Sequence, residues 1–268
     1  MPPTLKKSPC LLFLAVVALA ACKSKPSASR EEQVRIDSIQ APAADTNLIN
    51  AVRGGLAMSQ LATTPSFILL TGLPEHRLVT IYKEVPPKSA RKYNEYGSYY
   101  YEDEGTDRYT HYMPGLDLLY GYNLLNLAHY DLKQEKMNYM FDRPVLIKSV
   151  YYPSFVQDSL HEKPINRSYY FISVYDADTN KDTLLTKRDL RSLYYFNAST
   201  SERVRLIPED HSVERSQYDS MNDVMYVYAR HDENHDGTTD RDEKRKSREP
   251  LHVFWIDLKV GNVAKRLY

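Results

Sequence analysis

Residues 124–141 read LLNLAHYDLKQEKMNYMF, residues 190–207 read LRSLYYFNASTSERVRLI, and residues 251–268 read LHVFWIDLKVGNVAKRLY. The three stretches share one outline. Each begins with an apolar run that ends at an Asp or Asn (Asp131, Asn197, Asp257), followed by a polar turn and a second run closing on apolar residues. Aromatic and branched aliphatic side chains suit a pleated, half-buried surface. A lone hairpin cannot bury its apolar face, so repeated copies have to pack on one another. The expected fold is therefore all-β, mainly antiparallel and built from repeats.

The surrounding sequence agrees. The chain holds 23 tyrosines, many in clusters such as SVYYPSF, RSYYFISVY and SLYYFN. Apolar and polar residues alternate over 77–82 (RLVTIY) and 203–207 (RVRLI), the period of a strand with one buried face. One short N-terminal helix is expected over 48–61 with Asn47 as its cap, although the pair Gly54-Gly55 weakens it. Trp255, the single tryptophan, lies mid-strand and is expected in the core. The repeat outline resembles the blades of TolB-like propellers, in which a strand, a D-x-x-x-G turn and a closing R-L recur. That resemblance implies a β-propeller-like arrangement, for which the length suffices for about four or five blades. An open β-meander or sandwich is the alternative.

The clearest chemistry lies at residues 232–243, DENHDGTTDRDE. A hard cation such as calcium takes six to eight oxygen ligands in flexible geometry. Oxygen-bearing side chains stand at loop positions 1, 3, 5, 9 and 12, with glycine at 6, so the stretch resembles an EF-hand calcium loop. The resemblance implies a ligand set of Asp232, Asn234, Asp236, the Thr238 carbonyl, Asp240 and Glu243, with Gly237 at the turn. The flanks, MYVY before and LHVFWIDL after, read as strands, which suits the calcium loops between strands of integrin-type propellers better than a helical hand. A second copy at residues 178–189, DTNKDTLLTKRD, offers Asp178, Asn180, Asp182, the Leu184 carbonyl, Thr186 and Asp189. Its final aspartate resembles dockerin loops. Thr183 replaces the turn glycine, and a β-branched residue at positive φ costs on the order of 1 kcal/mol or more. Weaker binding is expected there. The competing reading of both stretches is a solvated acidic corner.

The N-terminus supplies an address. It reads MPPTLKKSPCLLFLAVVALAACKSKPS: Lys6 and Lys7, a short apolar run, then small residues leading to a cysteine. The ending Leu19-Ala20-Ala21-Cys22 resembles a bacterial lipobox. The resemblance implies a signal peptide over 1–21, lipidation (palmitate among the acyl groups) of Cys22, and membrane attachment through that lipid. Residues 22–47 read as a flexible tether and 48–268 as the β domain. The only other cysteine, Cys10, lies in the signal, so a mature domain has no thiol for disulfides or thiolate metal sites. Lys23-Ser24-Lys25 departs from both the acidic export signal of surface lipoproteins of the Bacteroidota and the aspartate that retains enterobacterial lipoproteins at the inner membrane. The expectation is the outer membrane, periplasmic face. Four stretches beginning at Asp37, Asp158, Asp182 and Asp219 resemble the loose O-glycosylation pattern of Bacteroidota.

The charge balance, 35 basic against 35 acidic residues, gives no global field to favour nucleic acid. His161-Glu162 lacks the second histidine of a zincin, and neither a Gly-x-Ser-x-Gly elbow nor a phosphate-binding glycine loop is present. His231, just before the 232–243 stretch, and His235 within it stand at i and i+4, but oxygen-rich surroundings favour calcium over zinc. The tyrosines could present a stacking face, so a glycan or another envelope protein is the partner class considered. The reading is a calcium-binding envelope lipoprotein acting as a structural or binding module, more a binder than an enzyme. Its alternative is an envelope hydrolase or carbohydrate-active protein with an unmarked site.

Overall fold

All three repeat hairpins form. The computed structural model describes residues 51–84, 113–121, 124–239 and 249–268. Its strands are β1 (Val52–Arg53), β2 (Thr63–Leu70), β3 (His76–Lys83), β4 (Leu116–Tyr120), β5 (Leu124–Asp131), β6 (Lys136–Tyr139), β7 (Leu146–Pro153), β8 (Asp158–Leu160), β9 (Lys163–Ile165), β10 (Tyr169–Tyr175), β11 (Leu184–Leu185), β12 (Arg191–Asn197), β13 (Arg203–Arg205), β14 (His211–Asp219), β15 (Val224–His231), β16 (Leu251–Asp257) and β17 (Ala264–Arg266). They make a first sheet β2-β3-β5-β6, a middle sheet β13-β12-β10-β7-β4 and a last sheet β14-β15-β16-β17, with small pairs β1-β11 and β8-β9. Each repeat hairpin is the final pair of its sheet: β5-β6, β12-β13 and β16-β17. The domain is all-β and antiparallel, and among the described residues no sheet closes on itself, as in an open meander or sandwich.

Strand β10 shows how the layers stack. Successive side chains on a strand point to opposite faces. Tyr169 and Phe171 enter a core with Val213, Met225, Val227, Phe254 and Ile256 of the last sheet. Tyr170, Ile172 and Val174 enter a second core with Leu78, Leu124 and Leu127 of the first sheet. The middle sheet is therefore covered on both faces, which is why β10 (YYFISVY) carries apolar or aromatic side chains on both, with Ser173 as the exception. Strand β15 has one inward face (Met225, Val227, Ala229) and a half-buried outer one (Tyr226, Tyr228), so its sequence alternates. Fully burying a side chain of this size contributes about 1.5–3 kcal/mol.

The hairpin turns repeat at atomic detail. Asp131 Oδ1 accepts from the backbone N–H of Lys133 and Gln134 (2.9 and 3.0 Å), and Asn197 Oδ1 from those of Ser199 and Thr200 (2.9 and 3.0 Å). Asp257 Oδ1 accepts from Lys259 N–H at 3.0 Å. Four residues on, Glu135, Ser201 and Gly261 all sit at positive φ (51°, 57° and 80°). The β14-β15 hairpin, outside the predicted repeat, has the same turn. Asp219 Oδ1 accepts from Met221 and Asn222 N–H, and Asp223 has φ 57°.

Two expectations are corrected. The described part of 48–61 contains no α-helix: Val52 pairs with Leu185, Gly54 N–H donates to the Thr183 carbonyl at 2.8 Å, and only a 3-10 turn, Met58–Gln60, follows. Gly55 at φ 79° turns the chain, and pairing with β11 outweighs helix propensity that the two glycines had already lowered. Asn47 lies outside the described residues. Trp255 is not a core residue. It stands half-buried on the outer face beside Tyr226, with Lys265 Nζ 5.0 Å above its ring, and its neighbours Phe254 and Ile256 fill the core. Among the described residues no helix is long and apolar enough to cross a membrane.

Candidate metal loops

Both acidic loops leave the ends of strands, and their backbones fold alike. In the downstream loop Asp232 is buried at 3% exposure. Its two carboxylate oxygens accept from Asp236 N–H (3.2 Å) and Gly237 N–H (2.9 Å). The Asn234 amide donates to Asp236 at 2.6 Å, and Asp236 accepts from Thr238 N–H at 3.0 Å. In the upstream loop Asp178 accepts from Asp182 N–H (3.1 Å) and Thr183 N–H (2.9 Å). The Asn180 amide donates to Asp182 at 3.2 Å, and Asp182 accepts from Leu184 N–H at 2.8 Å. Positive φ also recurs in phase, at Lys181 and His235 in position 4 and at Thr183 and Gly237 in position 6. Asp, Asn and Asp at positions 1, 3 and 5 thus converge in both loops by the same scheme.

The outer ligand positions differ. Asp240 and Glu243 lie outside the described residues. Glu249, which no loop spacing marks, comes in from just before the next strand, β16. One oxygen from each of Asp232, Asp236 and Glu249 lies within 4.8 Å of the others. In the upstream loop Asp189, at position 12, is buried and turned to backbone N–H groups: Thr179 at 2.8 Å and Thr186 at 2.7 Å. Burial raises its pKa above the ordinary carboxylate value, against those hydrogen bonds. Thr186 Oγ1 accepts from Arg188 N–H at 3.1 Å, and Leu184 opens β11, paired with Arg53. Asp189 therefore ties the ends of its loop together.

The loops touch. Thr179 Oγ1 donates to the Gly237 carbonyl at 2.6 Å and accepts from Leu190 N–H at 2.9 Å. A Cβ on Gly237 would stand 1.9 Å from the Thr179 carbonyl oxygen. Glycine is required there by contact as well as by φ.

Elsewhere a depression of about 350 Å³ is lined in part by Arg167, Tyr169, Tyr195, Asp223 and Lys259. Arg167 holds Asp223 with two hydrogen bonds of 2.7 and 3.2 Å and donates to the Leu258 and Pro114 carbonyls. Among the described residues Asp223 is the one carboxylate in the lining. The residues His231 and His235 do not act as a pair. His235 is exposed in the loop, whereas His231 ends β15 and lies against Asp210 and His211. Cys22 lies outside the described residues. No family model matches the chain, and no curated protein matches its sequence.

Proposed function

We propose that this chain is a lipid-anchored envelope protein whose two acidic loops bind calcium and so hold its open β domain in shape. The observation that carries the reading is the shared hydrogen-bond scheme of the two loops, together with their direct contact through Thr179 and Gly237. An ion at each loop would neutralise carboxylates that repel when crowded and would fix a turn that leads into the next strand. The downstream loop is the stronger site, because it combines glycine at position 6 with the gathered oxygens of Asp232, Asp236 and Glu249. The role is structural or scaffolding, with a glycan or a protein as the partner class. Cys22 would carry the lipid that ties the domain to the periplasmic face of the outer membrane.

Thermal unfolding of the full-length chain with calcium and with chelator tests this. With affinities near the 10⁻⁴ to 10⁻³ M of extracellular calcium modules, about 10 mM calcium stabilises by roughly 1.4–2.7 kcal/mol per site. Asp232→Ala should remove most of the shift and Asp178→Ala less. Equal midpoints in calcium and chelator would overturn the reading. Cys22→Ser should move the protein from the membrane to the soluble fraction.

A further inference from the structure

Three neighbouring strands of the last sheet each place a histidine at the same end of the same face. His211 opens β14, His231 closes β15, and His252 is the second residue of β16. His211 pairs across the ladder with His231, and His252 with Ala229. They continue the inward register of Val213, Ala229 and Phe254, so the apolar core ends in three imidazoles. The rings lie 4.7 Å (His211–His231), 4.9 Å (His211–His252) and 5.2 Å (His231–His252) apart. Asp210 closes the cluster. One of its oxygens is 2.6 Å from His211 Nδ1 and the other 3.2 Å from His231 Nε2. His211 Nε2 is 2.7 Å from His252 Nδ1.

We propose that Asp210, His211 and His231 form a site for a divalent transition-metal ion of the zinc class, with His252 as the partner that orients His211. One ligand atom from each of the three residues already lies within 4.8 Å of the others. Metal–ligand distances near 2.0–2.2 Å in a tetrahedral site put ligand atoms roughly 3.3–3.6 Å apart, so settling around an ion needs shifts of about an ångström or less. Two imidazoles and one carboxylate suit zinc and related metals, in contrast to the all-oxygen calcium loop that begins at the next residue, Asp232. Metal-bound histidine characteristically donates its other ring N–H to a fixed acceptor, and His252 Nδ1 stands where His211 Nε2–H would point.

His211 is buried at 6% exposure, whereas Asp210 (40%) and His231 (26%) border solvent. A bound ion would therefore keep an open coordination position on that side for water or an exogenous ligand.

The test uses the full-length chain, stripped with chelator and held in millimolar calcium so that the acidic loops are satisfied. Zinc is titrated against a chromophoric chelator, and cobalt(II) is titrated in parallel while visible absorption reports nitrogen ligation. One equivalent is expected at this site. His231→Gln and Asp210→Asn, both at the solvent border, should weaken zinc about 100-fold, and His252→Leu about tenfold, with unchanged circular dichroism. Asp232→Ala should leave zinc binding intact. Absence of zinc binding by the folded wild type would overturn the proposal. So would a His231→Gln variant that binds as tightly as wild type, or zinc binding that is lost with Asp232→Ala instead.

Discussion

The Thr179 hydroxyl donates to the Gly237 carbonyl at 2.6 Å, so each acidic loop forms part of the wall of the other. Gly237 combines φ 77° with a backbone approach that leaves no room for a Cβ. Gly237→Ala should therefore cost at least the 1–3 kcal/mol typical of a non-glycine residue held in strained backbone, about 5 °C or more in Tm. Thermal unfolding in chelator checks this without any contribution from metal. An unchanged midpoint would mean that the two loops are not in contact.

The upstream loop offers the opposite substitution. Thr183 holds φ 71°, is exposed, and contributes its backbone N–H to Asp178. Thr183→Gly keeps that hydrogen bond and removes the steric cost of a β-branched residue in the left-handed region, about 1 kcal/mol, against some added freedom of the unfolded chain. Expected are a slightly raised Tm in chelator and tighter calcium binding at this loop in a titration of Asp232→Ala. Weaker calcium binding would contradict the assignment of Thr183 to the turn position.

These loops mark where the sequence was informative. Period-two runs and the polar turns after Asp131, Asn197 and Asp257 made the final hairpin of each sheet legible, because strand and turn chemistry are local. The β14-β15 hairpin was hidden because β14 (HSVERSQYD) is mostly polar or charged and offers no apolar run to open the outline. The acidic loops were legible as spacing, whereas Glu249 and the cluster of Asp210, His211, His231 and His252 were not. Those residues meet only through strand pairing, which no short spacing encodes. Trp255 was misjudged because a strand within an apolar run gives no sign of which alternate residues face out. The helix expected over 48–61 gave way to a pairing with β11 that lies far off in sequence.

Arg167 and Asp223 form a pair with side chains only 2% and 4% exposed, joining the approach to β10 with the β14-β15 turn. Asp223 also accepts from Tyr218, and Arg167 also donates to the Leu258 carbonyl. Arg167→Met strands a buried carboxylate and should cost about 3–5 kcal/mol, roughly 10 °C in Tm. Adding Asp223→Asn, which removes the charge and tolerates positive φ, should recover part of that loss. A double variant no more stable than Arg167→Met would show that the defect is lost packing and not an unpaired charge.

His129 gives the domain a pH dependence with a definite sign. Its ring is 3% exposed, stacks on His76 at 4.9 Å, and has no hydrogen-bond partner for either nitrogen among the described residues. Desolvation, and then the proximity of His76, lowers its pKa. The folded state therefore favours the neutral ring, and its contribution to stability is present above the unfolded value of about 6.5 and lost as pH falls. His211 and His252, also lowered, act in the same direction, whereas Asp131, Asp210 and Asp219, lowered below 3.8, matter only in stronger acid. Tm should fall between about pH 7 and 5. His129→Leu removes two unsatisfied polar atoms, whose burial costs about 1–3 kcal/mol, and should raise Tm at neutral pH by a few degrees. It should also make the decline below pH 6.5 shallower, with the remaining slope carried by His211 and His252. A melt series across that range decides it: an unaltered slope in His129→Leu would remove His129 as a source of the acid sensitivity.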